Sequence, residues 1–154
     1  MKSSHTRQPL HIQHTGDKSE KPFFGANREK NKQSDNVRQW FYLHSDACFI
    51  SVVSIGEIQK GIVKLNDSKR KKAIETHLKK ELIPFFAGKI LNADIDVFTV
   101  WGEMLGNGER TGQPLPVVDA LVAAIAQTNR MVVVTRNTAD FLRCGVKTIN
   151  PWKD

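Results

Sequence analysis

The chain has 154 residues, of which 40% are hydrophobic and 25% charged. That size and balance suit one globular domain with a real core, and they exclude a collagen-like, rod-like or wholly disordered chain. The net charge of +7 points to an anionic partner, nucleic acid first, although a solvated basic surface accounts for it equally well. No apolar run approaches the ~18–20 residues of a membrane span. The N-terminus lacks the apolar stretch of a secretory signal. Two cysteines, Cys48 and Cys144, are too few for a disulfide framework, which fits a reducing, cytoplasmic setting.

Residues 1–35 are polar and aperiodic, with seven basic and four acidic residues, and read as a disordered tail. Leu10-His11-Ile12 is their only short β-like run. From Asn36 the pattern changes, and an ordered domain is expected over 36–152. Val37, Trp40, Phe41 and His44 suit a short amphipathic helix. Cys48 to Val53 reads as a buried strand. Ser54-Ile55-Gly56-Glu57 has the form of a capping box and predicts a helix to about Leu65. Asp67-Ser68 begins a longer helix to about Phe86. Lys64, Lys69, Arg70, Lys71, Lys72, Lys79 and Lys80 lie along it against Asp67 and Glu75. Both a solvated face and an RNA- or partner-facing patch fit that charge.

Ile90-Leu91 is a short strand candidate, followed by a helix from Asp94 to about Leu105. Gly106-Asn107-Gly108 and Thr111-Gly112 predict a loop. Pro114-Leu115-Pro116 leads into a helix from Val117 to about Thr128. Met131 to Thr135 is a buried strand, Asn137 to Leu142 a short helix, and Val146 to Ile149 a last strand. Strands alternating with helices imply an α/β fold with a central parallel sheet.

Glu57, Asp119, Asn137 and Asp140 are all placed near the starts of helices. Ligands of open parallel sheets gather beyond the carboxyl ends of the strands, where helix N-termini also point. Taken singly, each of these residues is explained as a helix cap or a dipole partner. Taken together, they form a candidate acidic site, because clustered carboxylates are tolerated mainly around a cation. Mg²⁺ or Mn²⁺ suits such oxygen donors.

Four segments resemble one family. Phe49 to Ile62, Trp101-Gly102-Glu103 with Leu115 to Ala124, Thr135 to Phe141, and Asn150-Pro151-Trp152 look like motifs of PIN-domain toxins of the VapC type, a group that includes plasmid-stability proteins. The resemblance implies a three-layer α/β/α sandwich and a Mg²⁺-dependent endoribonuclease. It also implies a toxin of a type II toxin–antitoxin system, silenced by a cognate antitoxin and forming a homodimer. Glu57, Asp119 and Asp140 stand as the acidic metal ligands, with Asn137 as a further ligand or orienting group. The family's opening strand, which ends in an Asp within a Leu-Asp-Thr-Asn-like motif, has no counterpart here. The fold is therefore expected to lack its first strand, in the pattern of a replaced upstream segment. Asp17 is a weak substitute for the missing carboxylate. Two roles follow: a ribonuclease impaired by that loss, or a degenerate, non-catalytic PIN fold that keeps antitoxin or self binding. An unrelated phosphate-binding domain would need a Gly-rich loop after a strand, and none occurs.

Overall fold

A computed structural model describes residues 10–12 and 32–153 of the chain. In order they form β1 (Leu10–Ile12), α1 (Lys32–His44), β2 (Cys48–Ser51), α2 (Val52–Val63), α3 (Lys69–His77), a π-helical turn (Leu78–Leu82) running into α4 (Ile83–Phe85), β3 (Ile90–Leu91), α5 (Ile95–Arg110), α6 (Val117–Thr128), β4 (Val132–Val134), α7 (Thr138–Arg143) and β5 (Thr148–Ile149). The strands make one parallel sheet in the order β3-β2-β1-β4-β5.

The expected absence of a first strand is corrected here. Leu10, His11 and Ile12 pair with Cys48, Phe49 and Ile50 on one side and with Val132, Val133 and Val134 on the other. The slot between β2 and β4 is thus filled, because a central strand must satisfy two rows of backbone groups. Three residues suffice for that and are too few to show a period. Secondary structure therefore begins before Asn36, and α1 starts at Lys32. Asp17 lies outside the described residues.

Successive side chains on β4 point to opposite faces, which separates the two main cores. Val132 and Val134 pack with Phe41, Ile50, Ile62, Leu78, Leu82 and Phe86 beneath α1 to α4. Val133 packs with Ala120, Val122, Ala123, Phe141 and Cys144 beneath α6 and α7. The result is the expected three-layer arrangement.

Two local expectations change. Val52 and Val53 belong to α2, because Ser51, extended at φ −92° and ψ 157°, is the N-cap and accepts the Ser54 N–H at 3.1 Å. Glu57 therefore stands beyond the first turn and does not complete a capping box. The predicted loop at 106–108 is helical, since α5 runs on to Arg110. Gly108 is required there: a Cβ on it would sit 2.8 Å from the Gln113 carbonyl oxygen, where the following loop folds back over the helix. The Gln113 N–H also donates to the Gly108 carbonyl at 2.8 Å.

Candidate active site at the carboxyl rim of the sheet

All four predicted site residues lie on elements that open at the carboxyl ends of the strands. α2 follows β2 directly, and Thr135-Arg136-Asn137 follows β4 directly. α6 is preceded by a loop rather than by a strand. It runs back to start β4, so its N-terminus, bearing Asp119, returns to the same rim. The Trp101 indole N–H donates to the Val117 carbonyl at 3.0 Å and fixes where α6 begins. Trp101 is thereby a helix-packing residue.

Three of the four are joined directly. The Asn137 side-chain amide donates to Asp140 Oδ2 at 2.7 Å and to Asp119 Oδ2 at 3.3 Å. Asn137 sits at the N-cap position of α7, yet its side chain caps nothing there. Its two donors serve the carboxylates instead. Its backbone N–H donates to the Thr135 hydroxyl at 3.0 Å. Asp119 and Asp140 each lie in the first turn of a helix, where the dipole favours negative charge.

Glu57 has a different environment. It pairs with Lys60 one turn along α2 at 3.0 Å and is 24% exposed. Among the described residues, no group of three or more His, Cys, Asp or Glu side chains is placed to hold a metal ion. The donor chemistry suits a hard cation, since two carboxylates and an amide oxygen stand side by side. The third carboxylate of the expected set is held apart with its lysine.

Two contributors were missed from the sequence. Arg143 donates to Asp140 Oδ1 at 3.4 Å and to the Pro114 carbonyl at 2.7 Å, tying the loop before α6 to α7. Its i+3 spacing from Asp140 was the available signal. Thr135 is fully buried and orients Asn137. Ser51, Ser54 and Thr135 are the buried polar residues among those described, and all three lie just beyond or at the ends of β2 and β4. Arg136 lies over the Trp152 ring at 5.6 Å, and Arg110 donates to Asn107 at 3.3 Å. Behind the rim, burial pushes the Cys144 thiol up to about 11, with the Asp119 and Asp140 carboxylates adding to the shift.

Residues 24–146 match the PIN domain. The chain belongs to the PIN-domain family. Among its PIN-domain relatives, the plasmid stability protein StbB of Pseudomonas syringae pv. tomato is 29% identical over 126 residues, covering 81% of this chain and 91% of the relative. Toxin FitB of Neisseria gonorrhoeae is 28% identical over 106 residues, with coverages of 69% and 76%. The tRNA(fMet)-specific endonuclease VapC of Shigella flexneri is 29% identical over 125 residues, with coverages of 80% and 88%. The crystal structure of FitAcB from Neisseria gonorrhoeae shares the fold at a TM-score of 0.75 and 23% identity, covering 93% of this chain and 98% of that one. The names of these relatives, a plasmid stability protein, a toxin and a VapC endonuclease, agree with the resemblance that the sequence motifs carried. No helix among the described residues is long and apolar enough to cross a membrane.

Proposed function

We propose that the chain is a VapC-type toxin acting as an endoribonuclease at the carboxyl rim, with a cognate antitoxin as its partner. The observation that carries this reading is the single Asn137 amide gathering Asp119 and Asp140. Two half-buried carboxylates held together this way repel unless a cation or proton joins them. Asp119 and Asp140 would hold Mg²⁺ or Mn²⁺, with Asn137 as orienting group or third donor. Such an ion supplies charge stabilisation at an attacked phosphate and an acidified water. The names of the FitB and VapC relatives support the toxin and endonuclease parts of the reading.

The chain's own residues have distinct parts in this scheme. Asn137 fixes the spacing of the two carboxylates. Thr135 fixes Asn137 from the buried side, and Arg143 fixes Asp140 from the outer side. Glu57 serves as an acidic group on the β2 side of the rim, its charge balanced by Lys60. A homodimer and a cytoplasmic location complete the proposal.

A second reading has its own support. The absence of a three-ligand acidic group among the described residues favours a PIN fold that binds an antitoxin and cuts nothing. One assay separates them: cleavage of a structured RNA with Mg²⁺ and with Mn²⁺, beside an Asp119→Ala control. The ribonuclease reading expects weak cleavage that the substitution removes, with a loss of about 10²-fold or more for a misplaced reacting group. No cleavage by the unaltered protein would leave the binding-only reading.

A further inference from the structure

Away from the acidic rim, the densest unbalanced charge lies between Lys64 and Lys80. α3 has no buried residue, and this segment is anchored through Leu78 and Leu82 in the π-helical turn, with Ile74 partly buried beside them. The inward stripe is therefore apolar and the outward stripe cationic. Lys71 is partly covered and pairs with Asp67 at 3.2 Å; His77 pairs with Glu81 at 2.9 Å. Lys64, Lys69, Arg70, Lys72, Lys79 and Lys80 are exposed and have no ion-pair partner among the described residues.

Folding does not explain this placement. Lys69, Arg70 and Lys71 fill the first turn of α3 with no acid among them, the end of a helix where cations are disfavoured. Like charges so close also repel one another. The arrangement opposes the helix it sits on, so an anion outside the chain is its natural complement.

We propose that the outer face of residues 64–80 is a docking surface for the phosphate backbone of RNA, a proposal that rests on the ribonuclease reading above. Three observations select RNA. The face spans roughly 17 Å from Lys69 to Lys80 at ~1.5 Å per residue, long enough for several phosphates. Besides cations, its outward residues between Lys69 and Lys80 are Ala73 and Thr76. A protein partner needs aromatic or apolar anchors, and a polyanion needs none. The face also connects with the rim along α2: Glu57, Lys60 and the C-cap residue Lys64 share one side, so the unpaired cations begin two turns from Glu57. Contacts of this kind supply affinity and register without reading base sequence.

The test uses the full chain in chelator, so that binding is measured without cleavage. A labelled single-stranded RNA is titrated at several salt concentrations against the unaltered protein and against Lys69→Gln/Arg70→Gln/Lys72→Gln/Lys79→Gln. Each phosphate contact contributes ~0.7 to the slope of log K against log salt on single strands, so the slope should shrink by about 3. The variant's melting temperature should stay equal or rise, since unfavourable first-turn cations are gone. An unchanged slope overturns the proposal. So does a variant that keeps RNA but loses a polyglutamate probe, which would mark an acidic-protein surface. Cleavage with Mg²⁺ is read separately. A protein that binds RNA through this face yet cuts nothing defeats the ribonuclease reading and leaves the docking surface standing. A protein that cuts while its variant keeps the full slope defeats the docking surface alone.

Discussion

At the carboxyl rim, each acidic side chain has a partner within the molecule: Asp119 and Asp140 share the Asn137 amide, Arg143 holds Asp140, and Lys60 holds Glu57. Along α3 the opposite holds, because most cations there are exposed and answer to no internal acid. The rim rests on a fully buried floor of Thr135, Val134 and Phe141, whereas α3 has no buried residue of its own. On the two proposals above, the difference separates two ways a surface prepares for a ligand. A reacting centre needs its groups fixed to within an ångström, so its polar atoms are tied to the core. A surface that tracks a flexible polyanion needs charge and reach, and rigid partners would only compete for the phosphates.

That contrast predicts unequal responses to substitution. The largest effect should come from Thr135→Val, which keeps the shape but strips the oxygen that accepts the Asn137 N–H. Leaving that buried network short costs about 1–3 kcal/mol in urea unfolding, and cleavage should fall with it. No loss of stability would show that the rim is less dependent on its floor than the hydrogen bonds indicate.

A smaller effect should appear in alkali. The Cys144 thiol is pushed up to about 11, and the Cys48 thiol to about 12 by burial, from an ordinary value of 9.0. Above pH 9 the unfolded chain sheds these protons while the folded chain keeps them. Stability should therefore fall as pH rises from 9 toward 11, by up to ~1.4 kcal/mol per pH unit for each thiol. Below pH 9 both thiols are protonated in the folded and unfolded chain, and this pH dependence disappears. Urea melts at pH 8 and 10 would measure the fall, and Cys144→Ala should remove about half of it, leaving the share of Cys48.

The smallest effect belongs to the cationic face. Lys72→Gln should shift unfolding by no more than ~0.5 kcal/mol, in the stabilising direction if at all. A clear destabilisation would mean that Lys72 has a structural task, and the contrast between the two regions would narrow.

Much of the fold was legible from local pattern. Within the predicted runs 48–53 and 131–135, residues 48–51 and 132–134 became strands, and the alanine-rich stretch from Val117 became the buried helix α6. Asp119, Asn137 and Asp140 were expected on one rim because acids and amides at helix starts gather there in a parallel sheet, and hydrogen bonds join the three. Part of what escaped was set by contacts distant in sequence, and part by a local choice between competing hydrogen-bond partners. Leu10–Ile12 is too short to show a period, and its place comes from ladder partners far along the sequence, Cys48 to Ile50 and Val132 to Val134. Gly106-Asn107-Gly108 looked like a loop because glycine disfavours helix. The close return of Gln113 makes Gly108 necessary within one. Ser54 was read as the cap, whereas Ser51, the last residue of β2, caps α2 and accepts the Ser54 N–H. The separation of Glu57 from the Asn137 network was invisible for the same reason: Lys60, one turn away, claims it.

The position of β1 also has a consequence in time. During synthesis Leu10–Ile12 leaves the ribosome first among the strands, yet one of its two edges waits for Val132–Val134. Until then β2 and β3 can pair, but the sheet has no second half and the Val133 side of the core has no floor. Closing so long a loop is slow, and the open strand edges are sticky while it lasts. In a growing chain the rim thus stays unassembled until β4 and α7 have emerged.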